Sequence, residues 1–290
     1  MNEAILLVGH GTRDETGQRQ FLQLAEQLRA AAAPTRVEVA YIELQSPTID
    51  EALLSLHRQG IEKVTLSPAL LFAAGHAKQD IPAAVSAARG KAPELVVKIA
   101  EPLGCHEAIV ELAARRFSTS YFFTPVLRGE DRGKESAPAQ TATIPFETPI
   151  SRSEMSTLRT ALVLIGRGSS DPTAIAHCRE FAARLSNRTG CQSVFTGFIA
   201  IAEPSLSTAL EQAATSGAEQ IVVQSHLLFS GEMLGATAAA VAAMQAKFPH
   251  LAWRLADSLA GDILQPGSAA ADYLVRTLQA RLAETSLIPH

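Results

Sequence analysis

The sequence predicts an α/β protein of two similar lobes, each a small parallel sheet flanked by helices. Three observations carry this expectation. Short apolar runs rich in β-branched residues alternate with longer stretches of helical spacing along both halves of the chain, and such alternation calls for crossover connections and a parallel sheet. The first run, Ile5-Leu6-Leu7-Val8-Gly9-His10-Gly11, breaks into a Gly-X-Gly turn. It is matched by Leu164-Ile165-Gly166-Arg167-Gly168, at the offset that separates His10 from Arg167. The same offset carries Tyr41-Ile42-Glu43-Leu44-Gln45-Ser46-Pro47 onto Phe198-Ile199-Ala200-Ile201-Ala202-Glu203-Pro204, Gly60 onto Gly217, and Leu70-Leu71-Phe72 onto Leu227-Leu228-Phe229. Agreement of turn and core positions over so long a span marks a duplicated domain, not a short repeat.

The elements of the first half follow in order. Residues 4–8 are continuously apolar and suit a strand buried on both faces. Residues 15–33 place Phe21, Leu24, Ala25 and Leu28 on one helical face, with Asp14 as N-cap. Residues 37–42 read as the second strand. Residues 48–59 read as a short amphipathic helix that stops at Gly60. Residues 64–72 are the third strand. Residues 80–89 form a helix with Pro82 in its first turn, where proline is tolerated. A fourth strand over 95–99 and a closing helix over 107–117 complete the unit. A flavodoxin-like strand order sets strands one and three side by side, so that ligands bind beyond the C-terminal strand edge.

This division assigns residues 1–120 to a catalytic first lobe and 158–290 to a degenerate second lobe. Residues 121–157 are expected to be a disordered connector. They include Arg128-Gly129-Glu130-Asp131-Arg132-Gly133-Lys134-Glu135 followed by Ser, Thr, Pro and Ala, which cannot bury enough apolar surface to offset their ordering entropy. Tyr121-Phe122-Phe123 is the exception, expected as an edge strand of the first lobe.

The 290 residues are 47% hydrophobic and 19% charged, with a formal net charge of −4. That size fits two domains with cores of their own. The charge gives no pull toward nucleic acid. Cys105, Cys178 and Cys191 form no C-x-x-C pair, which argues against a disulfide framework, a zinc knuckle or a ligated cluster. No apolar stretch approaches the length of a membrane span and the first residues lack a leader's basic region, so a cytoplasmic location is expected.

Chemistry concentrates at the strand ends of the first half. His10 sits between two glycines, and a neutral imidazole there can bind a divalent metal or accept a proton near neutral pH. A histidine that merely hydrogen-bonds its own turn is the plainer reading. His76, in Phe72-Ala73-Ala74-Gly75-His76-Ala77-Lys78, follows strand three, and its counterpart is Met233. Both histidines therefore occur in the half whose partner positions hold arginine and methionine, which favours one shared site. Glu43 ends strand two, where its counterpart is Ala200. It can orient a histidine or accept protons, or be simply an exposed carboxylate. Arg13 and Lys78 are candidates for holding ligand carboxylates, although surface ion pairing is the commoner fate of such residues. Arg167 can reach an acidic substrate across the cleft from the second lobe. His57, His106, His177, His226 and His250 have no comparable context and are taken as surface or packing residues.

Four ordered segments resemble the sirohydrochlorin chelatases of the CbiX/SirB type. They are Leu6-Leu7-Val8-Gly9-His10-Gly11-Thr12-Arg13-Asp14, Tyr41-Ile42-Glu43-Leu44-Gln45-Ser46-Pro47-Thr48-Ile49, Pro68-Ala69-Leu70-Leu71-Phe72-Ala73-Ala74-Gly75-His76-Ala77-Lys78-Gln79-Asp80-Ile81-Pro82, and Glu101-Pro102-Leu103-Gly104. The resemblance implies a chelatase-like fold, two lobes facing each other across a cleft. It implies ATP-independent insertion of a divalent metal, Co²⁺ or Fe²⁺ with Ni²⁺ as a further candidate, into sirohydrochlorin during cobalamin or sirohaem biosynthesis. No cofactor is then permanently bound, because the metal is a substrate. His10 and His76 become metal ligands and catalytic groups with Glu43, while Arg13, Lys78 and Arg167 bind the tetrapyrrole. The chain departs from the family pattern where Gln45-Ser46 stands in place of Ala-Glu, a pair the second lobe keeps as Ala202-Glu203. No nucleic acid or membrane partner is implied, and two fused lobes can build the cleft within a monomer.

Two other readings remain open. A histidine phosphatase also presents His-Gly after strand one, but an arginine normally precedes that histidine, and here the preceding residue is Gly9. A carrier that binds metal or tetrapyrrole without turnover would use the same ligands.

Overall fold

A computed structural model describes residues 2–72, 76–122 and 158–286. In the first half the elements run β1 (Glu3–Gly9), α1 (Glu15–Ala32), β2 (Arg36–Tyr41), α2 (Ile49–Arg58), β3 (Lys63–Pro68), α3 (His76–Lys91), β4 (Val96–Ile99), α4 (Glu107–Ser118) and β5 (Tyr121–Phe122). The second half gives β6 (Thr160–Gly166), α5 (Pro172–Thr189), β7 (Ser193–Phe198), α6 (Leu206–Ala214), β8 (Gln220–Ser225), α7 (Glu232–Lys247), β9 (Ala252–Ala256) and α8 (Ala269–Ser286). The first sheet has the order β2-β1-β3-β4 and the second β5-β9-β8-β6-β7. All pairings are parallel except that of β5.

The strands that open each lobe are buried because they are central. β1 lies between β2 and β3 with Leu6, Leu7 and Val8 fully inaccessible, and β6 lies between β7 and β8 with residues 161–165 equally closed. Helix starts are set by local capping. The Asp14 carboxylate accepts from the Gly17 amide, and Asp171, its counterpart, accepts from the Thr173 amide. Thr48 and Glu51 form a reciprocal capping box at the head of α2.

Three apolar cores result. One lies on the outer face of the first sheet under α2 and α3 and includes Leu6, Leu53 and Val85. Another lies on the outer face of the second sheet and includes Val163, Leu210 and Trp253. The largest is shared, joining Leu7, Leu24 and Val110 to Leu164, Phe181 and Leu274. Within it the closing helices are exchanged. α4, from the first half, packs against α5, α8 and β8, while α8, from the second half, packs against α1, α4 and β3. Polar ties follow the same exchange. Gln224 Nε2 donates to the Ala113 carbonyl at 3.2 Å and Arg281 Nη2 to the Leu103 carbonyl at 3.2 Å. The two lobes are thus welded by helices that each borrows from the other.

Three expectations are corrected. Residues 121–122 join the second sheet, not the first, with Tyr121 opposite Leu255 and Phe122 opposite Arg254. The cause is the exchange, since a chain leaving α4 emerges beside the second lobe. The buried Arg254 guanidinium fixes that exit by donating to the Ser120 carbonyl. The helix expected over 80–89 begins earlier, at His76, which places Pro82 inside it. The proline has no N–H for the Lys78 carbonyl one turn back. β3 ends at Pro68, and residues 69–72 leave the ladder after the Ala69 amide bonds Val8 at 2.8 Å. Phe123 and the rest of the expected connector lie outside the described residues.

Candidate active site at the strand edge between the lobes

The site is built from the two strand-end turns. The β1–β2 ladder runs past its last strand pair. The Ile42 amide donates to Gly9 at 3.0 Å, and the Glu43 amide donates to the His10 carbonyl at 3.1 Å. This brings the Glu43 side chain beside the imidazole, with Oε1 3.4 Å from Nδ1. Gly11 makes the turn possible. Its φ is +96°, and a Cβ there would stand 1.9 Å from the Glu43 carbonyl oxygen. The second lobe repeats the arrangement around Arg167, whose carbonyl accepts from the Ala200 amide at 3.0 Å.

Arg167 Nη1 lies 3.4 Å from His10 Nε2. Equivalent positions of two copies that touch must sit at the pseudo-two-fold axis, so the axis passes between these side chains. A guanidinium only donates, so in this contact Nε2 is the acceptor, while Glu43 Oε1 stands on the Nδ1 side of the ring. His10 is about one-third exposed and Glu43 about half, so the group is open to a ligand.

The other expected residues fall as follows. His76 opens α3 beyond β3, the strand neighbouring β1, and its side chain lies outside the described residues. Lys78 does not stand free. Its Nζ donates to Asp171 of the second lobe at 2.7 Å. That bond, helped by the Thr173 amide, holds the Asp171 carboxyl down to about 2. Arg13 is exposed and has no ion pair among the described residues. Gln45, at the departure from the family pattern, accepts from the Thr12 amide at 3.3 Å and ties the two turns together.

Several features were not visible in the sequence. Leu44 and Ile201, one residue beyond Glu43 and Ala200, have φ of 65° and 67°. Each is the centre of a tight turn, Gln45 to Glu43 at 2.8 Å and Ala202 to Ala200 at 2.7 Å. Such γ-turns are strained, and neither residue carries a turn signal. The buried His226 packs its ring 4.1 Å from Phe181 and 4.9 Å from Phe72, centroid to centroid. Neither of its ring nitrogens has a hydrogen-bond partner among the described residues. Burial pushes it down to about 3. His106 N-caps α4 and His57 pairs with Glu94. Burial raises the thiols of Cys178 to about 12 and Cys105 to about 11, so neither is a thiolate near neutral pH. Among the described residues no three His, Cys, Asp or Glu converge as a metal site.

A family model described as CbiX matches residues 4–120 and again 161–265, well over half of the chain. The chain belongs to the CbiX family. The double match coincides with the internal repeat. This CbiX-family protein is 29% identical over 232 residues to a sirohydrochlorin ferrochelatase of Priestia megaterium, covering 80% of this chain and 75% of that one. It is 28% identical to a sirohydrochlorin cobaltochelatase of the same organism, over 80% of this chain and 66% of that one. Among solved structures, SirB from Bacillus subtilis with Fe³⁺ superimposes with a TM-score of 0.74 at 24% identity, over 99% of this chain and 96% of that one. The fold is therefore the two-lobe chelatase fold.

Proposed function

We propose that this protein inserts a divalent metal ion, Co²⁺ or Fe²⁺, into sirohydrochlorin without ATP, in cobalamin or sirohaem biosynthesis. The observation that carries the reading is His10, placed between Glu43 of its own lobe and Arg167 of the other at an open strand edge. The relatives named for this reaction include both an iron and a cobalt enzyme.

The reaction exchanges two pyrrole N–H protons for one metal ion. His10 Nε2 is the lone pair available to replace a water on the incoming ion, since imidazole suits iron and cobalt alike. His76 is proposed as the second imidazole from its place at the head of α3, beyond the adjacent strand. Glu43 holds the His10 ring and receives one of the two pyrrole protons, and solvent at the open strand edge takes the other. Arg167 and Arg13 attract carboxylates at the tetrapyrrole rim. Arg167 then leaves His10 for the substrate, which frees Nε2 for the metal. Lys78 takes part only if it releases Asp171.

Metallation followed by absorbance, with protein well below substrate, tests the proposal. Many turnovers per protein are expected with Co²⁺ or Fe²⁺. A single stoichiometric binding event without turnover would point to a carrier, and no metallated product would overturn the assignment. No helix among the described residues is long and apolar enough to cross a membrane.

A further inference from the structure

Leu44 and Ile201 occupy the same place in the two lobes, and each combines two unfavourable features. Both have left-handed backbone, φ 65° and 67°, a region that bulky and β-branched side chains avoid. Both also expose an aliphatic side chain, Leu44 at 53% and Ile201 at 80%. A glycine or asparagine would suit the turn better, and a polar side chain would suit the exposure better.

Positioning of Glu43 does not explain them. In the second lobe the equivalent of Glu43 is Ala200, so no carboxylate there needs aiming, yet the strained turn and its exposed aliphatic tip are both retained. The two tips belong to the site. The Leu44 turn is bonded to the His10 backbone and the Ile201 turn to the Arg167 backbone, while His10 and Arg167 touch.

We propose that Leu44 and Ile201 are a paired substrate grip, one aliphatic contact from each lobe for the apolar conjugated face of a tetrapyrrole. This rests on the functional reading above. A flat macrocycle with a charged periphery matches the arrangement, with aliphatic tips flanking the axis and arginines at hand for the rim. The affinity gained when both side chains leave water offsets the turn strain only in the complex.

The test separates affinity from stability. Leu44→Gly and Ile201→Gly relieve the backbone strain while removing the contact, and Leu44→Asn keeps a side chain that tolerates the turn. Metal-free sirohydrochlorin is titrated into each protein under anaerobic conditions, and thermal midpoints are recorded alongside. The expected result is an unchanged or raised midpoint with affinity weakened about five- to tenfold per variant. KM should rise while turnover at saturation holds. Equal affinity in the wild type and all three variants would overturn the grip, as would parallel loss of stability and affinity. Failure of the wild type itself to bind sirohydrochlorin would instead overturn the functional reading, so the two failures are distinguishable.

Discussion

The two lobes share a sheet order, a Gly-X-Gly turn, a strained turn after the second strand and an aspartate that caps the first helix. They differ in what that frame holds. The first lobe presents His10 with Glu43, and the second presents Arg167 with Ala200. The comparison teaches that the backbone alone is not the chemistry. On the proposed reading, a few side chains at one strand edge divide the labour, with a metal ligand and a base on one side and a fixed positive charge on the other. Because His10 and Arg167 meet at the axis, a change at either position acts on the same space.

That division can be broken at its strongest point first. His10→Ala should lower metallation by roughly two to four orders of magnitude, because it removes both the metal's imidazole ligand and the ring against which the Glu43 proton acceptor is placed. Its thermal midpoint should stay near wild type, because the ring is partly exposed. Arg167→Ala should act differently, raising KM for sirohydrochlorin about tenfold while leaving turnover at saturation nearly intact, as expected for loss of uniform binding. Steady-state rates across substrate concentration separate the two outcomes.

A smaller effect concerns His226, whose counterpart in the first lobe is Ala69. Its folded pKa of about 3 lies below the ordinary 6.5 because burial disfavours the cation. Folding therefore opposes its protonation. Stability is fully present above pH 6.5 and falls as the pH drops from there toward 3. His226→Leu should flatten that acid-side loss, so the variant's thermal midpoint gains on wild type as the pH is lowered across this window. A gap that stays constant with pH would show that the imidazole does not stay neutral in the fold.

The smallest effect belongs to the exposed inter-lobe pair of Lys78 and Asp171. Lys78→Ala should change the thermal midpoint only slightly, and less so in high salt, because solvent screens such pairs. Asp171 is held below its ordinary 3.8. Whatever the pair contributes is present above that value and lost as the pH falls through about 2.

Much of the frame was legible in the sequence because buried central strands and amphipathic helices leave periodic signals. The residues around β1, α1, β2 and α2 were placed to within a residue or two. The start of α3 is not legible, because Pro82 signals a first turn although the helix has already begun at His76. The exchange of α4 and α8 was not legible. An apolar face shows that a helix is buried, not which sheet it covers, and the misplaced edge strand over 121–122 followed from that. Arg167 was legible because the repeat offset pairs it with His10, and contact across the axis follows from that symmetry. The turns at Leu44 and Ile201 were not, since local strain held by surrounding structure has no counterpart in residue preference.

On the proposed reading, metal handling resides in the first lobe's histidine and charge recognition in the second lobe's arginine. The most direct test is the turnover of His10→Ala and Arg167→Ala side by side, at saturating sirohydrochlorin with Co²⁺. The expected result is near-complete loss in the first and near-wild-type turnover in the second. Full turnover in His10→Ala, or equal loss in both, would contradict the division.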